Sequence, residues 1–170
     1  MSIEKIVQTF DDVINNNKSF VSTFEHEELT GTAKEGLAIV TCMDSRIDPL
    51  KIVGMKAGDA KILRNAGARV TEDVLRTLIL ATHLLNVTRV LVMPHTDCRM
   101  ASGTEPEVHA AIFEASGVDT RSIEIRTVKD QRAALETDVT RIRTYPLLPA
   151  GLEVVGAVYH VENGKLEKIY

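Results

Sequence analysis

Residues 39–49, IVTCMDSRIDP, place a thiol at Cys42, a carboxylate at Asp44 and a guanidinium at Arg46 on alternate positions where an apolar run stops. Further along, PHTDC carries His95 and Cys98 just beyond a second apolar run. Two thiolates and one imidazole have the softness that suits zinc, and three protein ligands leave a fourth tetrahedral position for water. That is the ligand count of a catalytic site rather than of a closed structural one. The bland alternatives are a small buried cysteine at a strand end, a histidine satisfied in a turn, and an Asx-capped turn with a solvated ion pair at Asp44 and Arg46. Each is ordinary for a residue standing alone; none explains the three donors together. Zinc lowers the pKa of a bound water to about 7, which makes hydroxide available near neutral pH. Two thiolates already cancel the ion's formal charge, so a bound hydroxide leaves the site net negative. Arg46 could either offset that charge or capture Asp44 in a bidentate pair.

These donors meet only if the strands that carry them end on one rim. GLAIVTCM is short, apolar and β-rich, reads as a buried strand, and brings Cys42 to its C-terminal end. Asp48 and Pro49 read as an N-cap and first helical residue of a short helix ending near Gly54, and AKILRN reads as a second strand broken by the loop NAGAR. Thr71 caps a helix whose inner face carries Val74, Leu75, Leu78, Ile79, Thr82 and Leu85 and which Asn86 ends. TRVLVMP is a third buried strand, stopped by Pro94, that delivers HTDC. Helices follow over about 105–116, stopped by Gly117, and about 130–144, with a strand at SIEIRT between them and a terminal hairpin in EVVGAVYHVENGKLEKIY. At the N-terminus Ile3, Ile6, Val7, Phe10, Val13 and Ile14 recur at helical spacing behind a cap at Ser2, an amphipathic helix that should pack on a neighbour. The alternation predicts an α/β fold: a single domain over residues 1–170, with a mostly parallel central sheet flanked by helices and a C-terminal β-hairpin. Sites in such sheets form beyond the carboxyl ends of the strands, which puts Cys42 and the His95/Cys98 pair on the same rim.

Composition narrows the function classes. The 170 residues are 44% hydrophobic and 26% charged, enough for one continuous core, and aromatics at 4% make that core aliphatic. A net charge of −4 and no basic block argue against nucleic acid and anionic membranes as partners. No apolar run is long enough for a membrane span and MSIEKIVQTFDD is no signal peptide, so a cytoplasmic location is expected. Two cysteines are too few for a disulfide scaffold and read as metal ligands or reactive thiols.

CMDSR followed by HTDC resembles the β-class carbonic anhydrases in a short prokaryotic form, from about residue 36 to 103 and more loosely to the end. The family pattern Cys-x-Asp-Ser-Arg falls on Cys42, Asp44, Ser45 and Arg46, His-x-x-Cys on His95 and Cys98, and RNAGA at 64–68 resembles the family's loop beside the site. The resemblance implies Zn2+ held by Cys42, His95 and Cys98, reversible hydration of carbon dioxide to bicarbonate by a zinc-bound hydroxide, and a homodimer or higher even oligomer with sites near the interface. It also implies that Arg46 captures Asp44, so that Asp44 either orients the reacting water or, released, plugs the metal. Carbon dioxide is small and apolar, so the backbone of Ala66, Gly67 and Ala68 suffices as a substrate wall. Carbonyl sulfide and carbon disulfide are similar linear molecules, and a zinc hydrolase of either is the alternative. A noncatalytic zinc protein with Asp44 as fourth ligand, or a metal-free thiol sensor, uses the same residues. His83 and His109 could shuttle protons, although a helical histidine at the edge of an apolar face is more often packed. The chain departs from the family at Arg99, where glycine is usual; if that position needs positive φ, arginine costs about 1 kcal/mol or more. The aromatic and glutamine pocket residues of plant-type members have no counterpart that the sequence reveals.

Overall fold

Five strands form one sheet in the order β2-β1-β3-β4-β5, in a computed structural model that describes residues 10–170. The strands are β1 (Leu37–Cys42), β2 (Ala60–Asn65), β3 (Arg89–Met93), β4 (Glu153–Tyr159) and β5 (Leu166–Lys168). The first four run parallel, and β5 returns antiparallel to β4 as the expected hairpin. All six residues of β1 are buried, as expected of a central parallel strand covered on both faces. The helices are α1 (Asp11–Ser22), α2 (Pro49–Ile52), α3 (Glu72–Leu84), α4 (Glu105–Ser116) and α5 (Gln131–Arg143).

Alternation along β1 sorts the core. Ala38 and Val40 face Val74, Leu75 and Leu78 of α3 and Leu135, Val139 and Ile142 of α5. Leu37 and Ile39 face the opposite layer, with Ile47, Met93 and Met100. Helix ends follow their local signals. Asp48 accepts from Lys51 N, Thr71 from Val74 N, and Asp130 from Arg132 N and Ala133 N. Gly117 ends α4 at φ 72 and Asn86 follows α3 at φ 64. A Cβ on Gly156 of β4 would lie 2.9 Å from Leu135 Cγ, so glycine is what lets α5 approach the sheet.

One expectation changes. SIEIRT is not a strand: the segment is irregular, Arg126 takes φ 62, Ile125 N–H donates to Glu105 Oε1 and Val128 N–H to the Met100 carbonyl. Its backbone partners are therefore a carboxylate and a loop rather than a strand edge. Helix α4 has no buried residue, so it adds no core layer. Residues 1–9 of the expected N-terminal helix, with its Ser2 cap, lie outside the described residues. The chain divides into two compact units at Thr30/Gly31. In the first, α1 carries Val13, Ile14, Phe20 and Val21 as exposed apolar residues. The sheet and the site belong to the second.

Candidate metal centre

Strand register brings the three donors to one rim. Cys42 is the last residue of β1, and His95 follows β3 by one proline and bridges to Tyr159 of β4. Cys98 leads into a short 3-10 turn, Arg99–Ala101. All three are buried, and their ligand atoms lie within 4.8 Å of one another. The sulfurs are 4.0 Å apart, close to the about 3.8 Å that two zinc–sulfur bonds of about 2.3 Å span at a tetrahedral angle.

His95 is fully buried, and its Nδ1 sits 2.8 Å from the Thr96 carbonyl, an acceptor only. The proton is therefore on Nδ1, and Nε2 presents a lone pair. That Nε2 is the one buried side-chain nitrogen or oxygen among the described residues without a hydrogen-bond partner. An orphaned acceptor in a dry site is costly unless a cation takes it. Burial foremost pushes the Cys98 thiol up to about 11, a cost that a bound cation would offset. The residues fit zinc.

Around the donors, Arg46 grips Asp44: its Nε donates to Oδ1 at 3.0 Å, its Nη2 to Oδ2 at 2.8 Å, and its backbone N–H to Oδ1 at 2.9 Å. The side-chain bonds foremost, then the backbone bond, hold Asp44 well below the usual carboxylate range. Asp44 Oδ2 is 3.8 Å from His95 Nε2, too far for a hydrogen bond. Gly67, at φ 81 in the 3-10 turn Ala66–Ala68, donates its N–H to Cys42 Sγ at 3.4 Å. A Cβ there would lie 3.1 Å from Met100 Cβ, so both the left-handed backbone and the tight approach favour glycine. The Ala66–Ala68 backbone thus borders the donors where a substrate wall was expected.

Sequence reasoning missed several partners. Asp97 holds the far side of Arg46, taking Nη1 on Oδ2 at 2.8 Å and Nη2 on its carbonyl at 3.1 Å. Arg64 donates to the carbonyls of Cys42 and Asp44 at 2.9 and 2.6 Å, fixing the loop between ligand and carboxylate. Gln131 Nε2 donates to the His95 carbonyl at 2.6 Å. Asp97 and Arg64 stood inside stretches already singled out, but nothing local says which way their side chains turn. His83 bonds the Leu147 carbonyl and His109 the Thr120 hydroxyl, so both histidines have their own packing partners. Arg99 carries no positive φ; Asp97 takes it instead at φ 52, so the expected strain at Arg99 is absent.

The family model described as carbonic anhydrase matches residues 37–166. The chain is 35% identical over 162 residues to β-carbonic anhydrase 1 of Mycobacterium tuberculosis, covering 94% of this chain and 96% of that one. It is 31% identical to a carbon disulfide hydrolase of Saccharolobus solfataricus, over 78% of this chain and 76% of that one. The crystal structure of carbonic anhydrase from Streptococcus mutans matches with a TM-score of 0.89 at 32% identity, covering 97% of this chain and all of that one. A Cys-His-Cys donor set at the carboxyl rim, an aspartate held off it by an arginine, and these likenesses agree: the chain belongs to the β-class carbonic anhydrase family.

Proposed function

We propose that this protein catalyses the reversible hydration of carbon dioxide to bicarbonate with Zn2+ on Cys42, His95 and Cys98, and with Asp44 and Arg46 as its catalytic pair. The observation that carries the reading is the unpartnered Nε2 of buried His95 beside two thiols, with a carboxylate restrained next to it. Bound there, zinc would lower the pKa of a water on it to about 7 and so supply hydroxide near neutral pH. The rest is done by side chains. Asp44, kept ionised by Arg46, is an acceptor only, so it takes a hydrogen bond from the reacting water and aims its lone pair at the substrate. Arg46 cannot itself follow the proton, because Asp44 foremost and then Asp97 hold it firmly protonated. Ala66, Gly67 and Ala68 form the apolar wall for the carbon dioxide, which needs little beyond exclusion of water.

The test is carbon dioxide hydration with zinc quantified in the same sample, for wild type and Cys42→Ser. Wild type should be active with one zinc per chain, and the variant should lose metal and turnover together. Inactive wild type with stoichiometric zinc would overturn the reading in favour of a closed site, and retained stoichiometric zinc in Cys42→Ser would overturn the ligand set. Because carbon disulfide hydrolases are among the relatives, carbon disulfide and carbonyl sulfide are run beside carbon dioxide; faster turnover of either would replace the substrate.

Homodimerisation or a higher even assembly is part of the proposal, supported by the exposed apolar residues of α1. Light scattering should give at least two chains per particle, and a fully active monomer would refute it. A cytoplasmic location is proposed too, in keeping with the two free cysteines and with no helix among the described residues being long and apolar enough to cross a membrane.

A further inference from the structure

The loop that carries Gly67 is tied to α5 by an ion pair that the reaction does not use. Arg69 Nε donates to Asp138 Oδ2 at 2.7 Å, with side chains 19% and 5% exposed. Asp138 lies on the buried stripe of α5 with Leu135, Val139 and Ile142. On the other side, Asn65 holds the Arg69 backbone twice: its Nδ2 donates to the Arg69 carbonyl at 2.7 Å, and Arg69 N–H donates to Oδ1 at 2.9 Å. Asn65 stands beside Cys42 in the β1–β2 register. Between these anchors the chain turns through φ 81 at Gly67 and φ 58 at Ala68, and from that turn the Gly67 N–H reaches Cys42 Sγ. A left-handed alanine persists only where its surroundings hold it.

A buried ion pair adds little net stability over apolar residues of similar volume, so stability does not explain a charge on the inner face of α5. What the pair has and a leucine lacks is direction, because the planar guanidinium meets a carboxylate in a fixed geometry. Gly67, Arg69, Cys98, Gln131 and Asp138 also border a cavity of about 10 Å³, room for about one water.

We infer that Arg69 and Asp138 are positioning residues of the metal centre: their ion pair sets the 65–69 loop so that the Gly67 N–H is aimed at the Cys42 sulfur, drawing density from that thiolate and setting how strongly it donates to a bound metal. The inference rests on Cys42, His95 and Cys98 being the ligands. Losing the N–H bond raises the sulfur lone pair in energy, which lowers the energy of charge transfer from thiolate to a bound cobalt ion. Outer partners of metal ligands commonly govern affinity by about 10–100-fold.

The test uses the full chain loaded with cobalt(II) or zinc, comparing wild type with Asp138→Leu, Arg69→Lys and the double variant Arg69→Met/Asp138→Leu. In Asp138→Leu the thiolate-to-cobalt band should move to longer wavelength, and zinc affinity, measured against a chelator, should fall about tenfold, because the loop no longer holds the Cys42 sulfur in place and that loss of orientation outweighs its stronger donation. Arg69→Lys, which keeps the charge, should lie between that variant and wild type. The double variant should regain thermal stability, having no unpaired charge, without regaining band position or affinity. If stability, band and affinity all recover together in the double variant, or if a folded Asp138→Leu shows an unmoved band and affinity within about twofold, the pair is structural only and the inference is overturned. A wild-type protein with no thiolate-to-cobalt band would instead refute the ligand assignment beneath it.

Discussion

Arg46 stands between two aspartates, and only one of them faces the donors. Asp97 takes one edge of the guanidinium while Asp44 takes the other, so Asp44 is restrained by a group that is itself restrained. If Arg46 keeps the site open, Arg46→Ala should lower kcat by about 100-fold with zinc content unchanged, because a freed Asp44 lies close enough to turn toward the donors. Asp44→Asn should also slow turnover, since the amide is a weaker acceptor, but should leave the metal open to small anions. Anion binding to cobalt-substituted variants, followed by absorbance, separates the two; wild-type kcat in Arg46→Ala would end the idea of a gate.

At the scale of elements, the ligand loop shows where a broken motif is harmless. Arg99 enters a 3-10 turn with ordinary φ and donates from Nη1 to Ser102 Oγ at 3.1 Å, while Asp97 carries the left-handed step. Glycine at 99 would therefore relieve nothing and would add unfolded-state entropy. Arg99→Gly should lower stability by about 0.5–1 kcal/mol in urea unfolding, with zinc content retained. A gain in stability would show strain that the backbone does not reveal.

Across the whole molecule, the C-terminal hairpin reaches back to the metal rim. Thr96 Oγ1 donates to Glu162 Oε2 at 2.7 Å, and His160 lies between Glu162 and Glu167, 3.0 Å from each. The Thr96 hydroxyl foremost, with the Glu162 backbone N–H and His160, lowers Glu162 from 4.5 to about 2. Its contribution to stability is complete above pH 4.5 and is lost as pH falls toward 2. His160 is raised above 6.5, by Glu167 first and then Glu162, so its contribution is complete below pH 6.5 and is lost as pH rises through its folded value. The melting-temperature difference between wild type and Glu162→Gln should thus be greatest between pH 4.5 and 6.5 and shrink on both sides. A difference that does not vary with pH would show that the contact is not ionic.

Much of this was legible in the sequence because it depends on near neighbours. AKILRN became β2 residue for residue, Asp48 and Thr71 cap the helices they precede, and Gly117 ends α4, since β-rich runs, side-chain caps and left-handed glycines act within a few residues. The ligand types and their rim were legible too, because strand ends in a parallel sheet share an edge. The tertiary structure alone decided which charges meet. Nothing in sequence distinguishes Arg46, Arg64 and Arg69 as partners of Asp97, of two carbonyls and of Asp138, for each pairing joins parts of the chain that only folding brings together. SIEIRT failed for the same reason: its alternation suits a strand, but the distant Glu105 carboxylate took the Ile125 N–H, and the residue after the segment, Val128, bonds the Met100 carbonyl.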